Sequence, residues 1–127
     1  MPLSFGEITT PKGRRCLLID SEGLCDLADG QAMQARLVPG QPHHFGLVCS
    51  RAAKTTEFSP ELRRFFPTMG TDSYLALASV ITSPVVRAAV KLLVRLTPRS
   101  AANFRVFGSE AEALAWLDEA ADAAGRP

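Results

Sequence analysis

Residues 104–117 read FRVFGSEAEALAWL and join a short strand to the first turns of a helix. The segment FRVF is typical of a strand. Ser109, with Glu112 three residues later, forms a capping-box pattern that marks the start of a helix. Behind it, Leu114 and Leu117 fall on one helical face. The chain therefore contains a β–α unit at this place.

The same alternation of strand and helix extends back towards the N-terminus. Ser83-Pro84 predicts a helix through about Leu96, because serine is a good N-cap and proline fits the first helical position. Ser59-Pro60 predicts an earlier helix for the same reason. Apolar runs at residues 73–80 and 45–49 precede these two helices and predict buried strands.

The first third of the chain predicts a hairpin and one helix. Two strand-like runs, residues 3–8 and 14–19, flank a turn-rich PKG segment, and Asp20-Ser21-Glu22-Gly23 reads as a turn. A helical pattern then runs from Asp26 to Leu37, with Asp26 as its N-cap. The order β-β-α-β-α-β-α-β-α predicts one α/β domain over residues 1–127. Its sheet is mixed, with an N-terminal antiparallel hairpin plus parallel strands, and about four helices flank it.

Composition narrows the function classes. Hydrophobic residues make up 46% of the chain and charged residues 21%, which fits a globular domain and excludes a disordered one. A net charge of +1 argues against a nucleic-acid partner. The three cysteines lack metal or redox spacing and no secretion signal is visible, so we expect a cytoplasmic protein. Without a catalytic motif, and with adjacent His43 and His44 pointing apart, we expect no enzyme activity, cofactor or metal.

Three segments resemble the SpoIIAA-like proteins of the STAS/SEC14-like group, which are small bacterial α/β domains. They are YLALA at residues 74–78, SPVVR at 83–87, and the stretch at 104–117, so the resemblance covers residues 73–118. It implies a SpoIIAA-like fold and a non-enzymatic regulatory or protein-interaction module that acts through a partner protein or a small anionic ligand. The alternative it implies is a small amphiphile- or lipid-binding protein with a SEC14-like pocket. The Asp-Ser pair that is phosphorylated in STAS anti-sigma antagonists has no match after Cys49, so no phosphoacceptor is assigned.

The segment after Cys49 is the candidate ligand site. It leaves the carboxyl end of a predicted strand and enters a helix N-terminus, where free N–H groups and the helix dipole favour an anion. One interpretation is an anion-binding or phosphorylated loop, and the other is a solvated loop that only caps a helix. The candidate residues are Ser50, Arg51, Lys54, Thr55, Thr56 and Ser59.

The helix after Pro84 is basic and unusually apolar. No acidic residue occurs between Ser73 and Ser109, while the next helix carries five acids (Glu110, Glu112, Asp118, Glu119 and Asp122). Three interpretations are open. The charged side chains could face solvent on two outer helix faces, they could form ion pairs between subunits, or the basic helix could lie on an anionic membrane. The apolar surface is wider than one core-facing stripe needs, so we expect a homodimer and no peripheral membrane contact. The predicted interface set is Val86, Arg87, Val90, Lys91, Val94 and Arg95.

Overall fold

The computed structural model describes residues 2–68, 73–95 and 103–126, with only the backbone of residues 67 and 93–95. These ranges contain seven strands: β1 (Leu3–Thr9), β2 (Arg15–Ser21), β3 (Leu24–Cys25), β4 (Gly46–Ala52), β5 (Glu57–Phe58), β6 (Tyr74–Ile81) and β7 (Phe104–Phe107). They also contain four α-helices: α1 (Leu27–Ala35), α2 (Pro60–Phe65), α3 (Pro84–Arg95) and α4 (Glu110–Ala123). A short 3-10 helix, Phe66–Thr68, follows α2.

Five of the strands form one mixed sheet in the order β1-β2-β4-β6-β7. Strands β1 and β2 pair antiparallel, and each later neighbour pairs parallel. The predicted mixed sheet with an N-terminal hairpin is confirmed. Strand β7 lies at one edge, so the β6–α3–β7 unit and the start of α4 occupy the same end of the sheet.

Helices cover both faces of this sheet. On one face, α1 and α2 close over Leu17, Val48 and Leu77, and Leu62 of α2 is fully buried there. On the other face, α4 places Ala113, Leu117 and Ala121 on small strand residues. Contact between α4 and β6 is possible because β6 presents Ala76 and Ala78, which let the helix backbone approach closely.

The helix starts follow the predicted local signals. The side chains of Asp26, Ser59 and Ser109 each accept a hydrogen bond from the backbone N–H three residues on, at 3.2, 3.1 and 3.3 Å. At Ser83 the hydroxyl accepts from the Val86 N–H at 3.4 Å. The predicted helix after Ser83 is confirmed up to Arg95, and its predicted end at Leu96 lies outside the described residues.

Two sequence-based boundaries are wrong. Strand β4 continues through Ser50 and Arg51, which were expected in a loop, and β2 continues through Asp20 and Ser21, which were expected in a turn. In both places the polar residues stay in the ladder because Asp20 pairs with Arg51 in the parallel register. No sequence pattern predicted the short parallel pair between β3 and β5.

Candidate functional site

The residues predicted after Cys49 do not form one loop. Ser50 and Arg51 belong to β4, Lys54 and Thr55 lie in an exposed turn, and Ser59 is buried as the N-cap of α2. Helix α2 has only six residues, so its N-terminus offers little of the dipole that the anion hypothesis relied on.

Arg51 is held by two carboxylates. Its Nε and Nη2 donate to the two carboxylate oxygens of Asp20 at 2.6 and 2.7 Å, and its Nη1 donates to Glu110 Oε1 at 3.0 Å. The two hydrogen bonds to Asp20, more than the one to Glu110, raise the pKa of Arg51 above its ordinary value. Because two carboxylates match its charge, Arg51 connects β2, β4 and the start of α4 at the carboxyl ends of the two strands.

The hydroxyls of the same segment support the local backbone. Thr55 Oγ1 accepts from the Gly23 N–H at 3.2 Å, and Thr56 Oγ1 donates to the Ser21 carbonyl at 2.9 Å. The hydroxyl of Ser59 accepts the Leu62 N–H. These bonds favour the helix-capping interpretation, and Lys54 is the cation of this segment that stays exposed. Anion binding at these residues stays a prediction.

A different set of residues forms an open groove beside β7, the edge strand of the sheet. It lies between α3, the edge strand β7 and the first turns of α4, and has a volume of about 550 Å³. We call it the β7 groove. Its walls carry three cations, one carboxylate and two aromatic rings: Arg87, Lys91, Arg105, Glu112, Phe104 and Phe107.

The guanidinium of Arg87 lies beside the Ile81 carbonyl and next to Gly108. Its Nη1 donates to the Ile81 carbonyl at 3.0 Å. On the other side lies Gly108, where a Cβ would stand only 2.6 Å from that Nη1. A residue with a side chain at 108 would therefore push the Arg87 guanidinium away. From the sequence, Arg87 is predicted at an interface, and no pattern indicates a role for Gly108, which precedes the Ser109 N-cap.

Helix α3 turns its apolar face away from the sheet. Val85 is 80% exposed and Leu92 is 59% exposed, and both were missing from the predicted interface set. Of that set, Val86 is exposed at 44%, Val90 is partly buried, and Arg87 and Lys91 line the β7 groove. The side chains of Val94 and Arg95 lie outside the described residues.

Three of the five acids of α4 are paired within the chain. Glu110 binds Arg51, while Asp118 and Asp122 bind Arg14. These three acids therefore pair with basic residues from distant parts of the same chain, and a role of the helix charges between subunits stays a prediction.

The cysteines are buried in the core. All three are 0% exposed and free. Burial, together with the neighbouring Cys49, raises the pKa of Cys16 to about 12, and burial raises that of Cys49 to about 11. Burial also raises the pKa of Cys25. Burial in the apolar core therefore disfavours the thiolate form of Cys49.

We expect these thiols to be inert in the native protein, because the thiolate is the reactive form. Iodoacetamide at about pH 8 should leave all three unmodified by mass spectrometry and should alkylate all three in denaturant. Rapid native modification of Cys16 or Cys49 would contradict this packing.

Each histidine contacts an oxygen atom of another residue in this chain. His44 Nδ1 lies 2.8 Å from the Leu37 carbonyl, and His43 Nε2 lies 3.3 Å from Glu7 Oε2. In the described ranges, no three or more His, Cys, Asp or Glu side chains are grouped so that they could hold a metal ion. None of the helices in those ranges combines the length and the hydropathy that crossing a bilayer requires.

Comparison with known proteins identifies the architecture. No model of a protein family matches the sequence, and a search of curated proteins finds no match. A solved structure from Shewanella loihica PV-4 superposes with a TM-score of 0.63, covering 91% of this chain and 93% of the other at 15% identity. That structure is an uncharacterized protein of the DUF3478 family with a SpoIIAA-like fold. The chain has a SpoIIAA-like fold. The resemblance stated from residues 73–118 is thereby confirmed for the fold, and at this identity for the fold alone.

Proposed function

We propose that this chain is a non-enzymatic regulatory module that acts through protein interaction and that it pairs with a second copy of itself through α3. The observation that carries the proposal is the outward apolar face of this helix. Val85, Ala88, Ala89 and Leu92 are all exposed, and their spacing places them on one side of a helix. Exposed apolar residues grouped in this way are typical of an interaction site.

A second copy suits this face because its described side chains, Val85, Ala88, Ala89 and Leu92, are uncharged and combine large residues with small ones. A twofold axis would bring the same residues together, so Leu92 of one copy would meet the small residues Ala88 and Ala89 of the other. The basic side chains Arg87 and Lys91 lie on the groove side of α3 and would stay clear of the axis. Like charges would therefore not face each other across the contact.

We also propose a cytoplasmic location and no amphiphile pocket. Three free thiols fit a reducing compartment such as the cytoplasm. The amphiphile alternative requires an enclosed apolar pocket. The β7 groove is open and carries four charged side chains, so it does not favour that alternative.

Leu92→Glu is expected to raise the dimer dissociation constant by at least about 100-fold. Each copy would lose about 1.5–3 kcal/mol of apolar burial. The total loss is twice as large, because both copies of residue 92 lie in a twofold contact. Sedimentation velocity of the full chain over a range of concentrations measures this change. Because Leu92 is exposed, the variant should keep the unfolding midpoint that the wild type has at monomer-forming dilution.

Leu24→Glu is the matched control. Leu24 is 60% exposed, on β3 and away from α3, so the same substitution there should leave the dimer intact. A wild-type chain that stays monomeric at every concentration would refute the proposal, as would equal dissociation by both variants. Wild-type binding to anionic vesicles that Leu92→Glu abolishes, with no dimer in solution, would assign the face to a membrane instead.

A further inference from the structure

We propose that the β7 groove binds a compact anion with two negative charges next to an aromatic group, as in an aryl phosphate monoester. The site is distinct from the residues after Cys49 and lies on the side of α3 opposite the proposed dimer contact. Its evidence is the arrangement of charge, aromatic rings and backbone around one groove.

The lining of the groove has an excess of positive charge. Three cations, Arg87, Lys91 and Arg105, face one carboxylate, Glu112, which leaves two positive charges without a counterpart in the lining. Within the described residues, none of the three cations lies in an ion pair, in contrast to Arg14, Arg15 and Arg51. The sequence supplies no acid anywhere from Ser73 to Ser109. A dianion would match the two charges.

One cation is held in position before any ligand arrives. The Ile81 carbonyl accepts from Arg87 Nη1 at 3.0 Å, and the missing side chain of Gly108 makes room for the guanidinium. An arginine fixed in this way loses little conformational freedom when it binds an oxyanion in its planar fork. Gly108 also precedes the N-cap of α4, a helix of 14 residues whose positive end borders the groove.

The edge strand adds neutral donors and an apolar wall. The Asn103 carbonyl accepts from the Leu77 N–H, so it points towards β6. Because alternate strand residues direct their backbone groups to opposite sides, the N–H groups of Phe104 and Val106 face away from β6, at the free edge. Arg105 Cζ lies 5.8 Å from the centre of the Phe107 ring, so charge and ring are adjacent. Phosphate oxygens and an aryl ring would find complementary neighbours there.

The test is a ¹⁵N NMR titration of the full chain with phenyl phosphate, inorganic phosphate and benzyl alcohol. We expect saturable shifts at the Gly108 amide and at the side-chain Nε–H signals of Arg87 and Arg105. Phenyl phosphate should bind with a dissociation constant on the order of 1 mM, about tenfold more tightly than inorganic phosphate. Benzyl alcohol should give no saturable shift, because it lacks the charge.

Two variants and a control decide the location. Arg105→Gln should weaken phenyl phosphate about tenfold by removing one charged donor. Gly108→Ala should weaken it by a similar factor by displacing the Arg87 guanidinium. Its unfolding midpoint should barely change, because only the end of a flexible side chain has to move. Arg63→Gln, which removes an exposed cation of α2, should leave the affinity unchanged.

Three results would overturn the proposal. Equal weakening by Arg105→Gln and Arg63→Gln would show that only net charge matters. Shifts confined to the backbone around Lys54 and Thr55 would place the anion at the segment after Cys49. Equally tight binding of benzyl alcohol and phenyl phosphate would remove the role of the cations. The dimer measurement is independent, because none of these variants alters the outward face of α3.

Discussion

Replacing Asp118 by asparagine is expected to lower the free energy of unfolding by about 3 kcal/mol. Asp118 is only 3% exposed although it is charged. Its Oδ1 accepts from Thr10 Oγ1 at 2.7 Å and from Arg14 Nη1 at 2.9 Å, and its Oδ2 accepts from the Lys12 N–H at 3.1 Å. One carboxylate thus joins α4 to the turn between β1 and β2.

Asparagine has nearly the same shape but cannot satisfy this site. One carboxylate oxygen becomes an NH₂ donor, which would face groups that already donate. The Arg14 side chain, only 12% exposed, would keep Asp122 as its remaining carboxylate. Removing one carboxylate from a largely buried arginine is costly, because its desolvated charge is then less well matched.

Urea denaturation of the wild type and Asp118→Asn measures the loss. Glu119→Gln is the control, because Glu119 is the exposed neighbouring acid on the same helix, and its substitution should change the free energy by less than about 0.5 kcal/mol. Similar small losses for both variants would show that the contacts of Asp118 contribute little.

The effect of Asp118 should depend on pH. Burial alone would raise the pKa of Asp118, but hydrogen bonds from Thr10, Arg14 and the Lys12 N–H outweigh it and bring the pKa below its ordinary value of 3.8. A carboxyl whose pKa is lower in the folded state stabilises the fold above its unfolded pKa. This stability is lost as the pH falls through the folded pKa. The difference between wild type and Asp118→Asn should therefore be full at about pH 7 and shrink below about pH 4.

Local sequence signals predicted the element order well. Serine followed by proline at Ser59 and Ser83, and the Ser109 capping pattern, depend on residues within one helical turn of each other. All the residues that form these helix caps lie within the segment itself, so the starts of α2, α3 and α4 could be located from the sequence. The hairpin likewise depends on a turn and its two flanking strands.

Interactions between distant residues were not predictable in this way. Arg51 binds Asp20 and Glu110, which are 31 and 59 residues away in the sequence. Asp118 binds Thr10, which is 108 residues away. From the sequence, Arg51 was a candidate anion ligand and Asp118 one of five acids on a helix. Only the sheet order β1-β2-β4-β6-β7 brings these groups together. The β7 groove also requires three elements to meet, and a sequence pattern reports one element at a time.

The contact between α1 and α2 is expected to control stability. Whether alanine at position 30 destabilises or stabilises the fold depends on Leu62. Leu62 is 1% exposed in the core, and Leu62→Ala should cost about 3 kcal/mol through lost burial and a cavity. A Cβ on Gly30 would overlap Leu62 Cδ1 and lie 3.0 Å from Phe65 Cδ2. Gly30→Ala in the wild type should therefore cost about 1 kcal/mol, since overpacking exceeds the gain in helix propensity.

Combining the two substitutions should reverse the effect of alanine at position 30. With Leu62 shortened, the added methyl group would enter the vacated space, so the helix propensity gain would remain while most of the overlap disappears. The double variant should thus be more stable than Leu62→Ala alone, with a coupling energy of about 1–2 kcal/mol in a urea-denaturation cycle. Ala28→Gly, at an exposed position of α1, is the control and should have the same effect in both backgrounds. If Gly30→Ala destabilised both backgrounds equally, the glycine would be required by the conformation of α1 itself, and Leu62 would not be the reason for it.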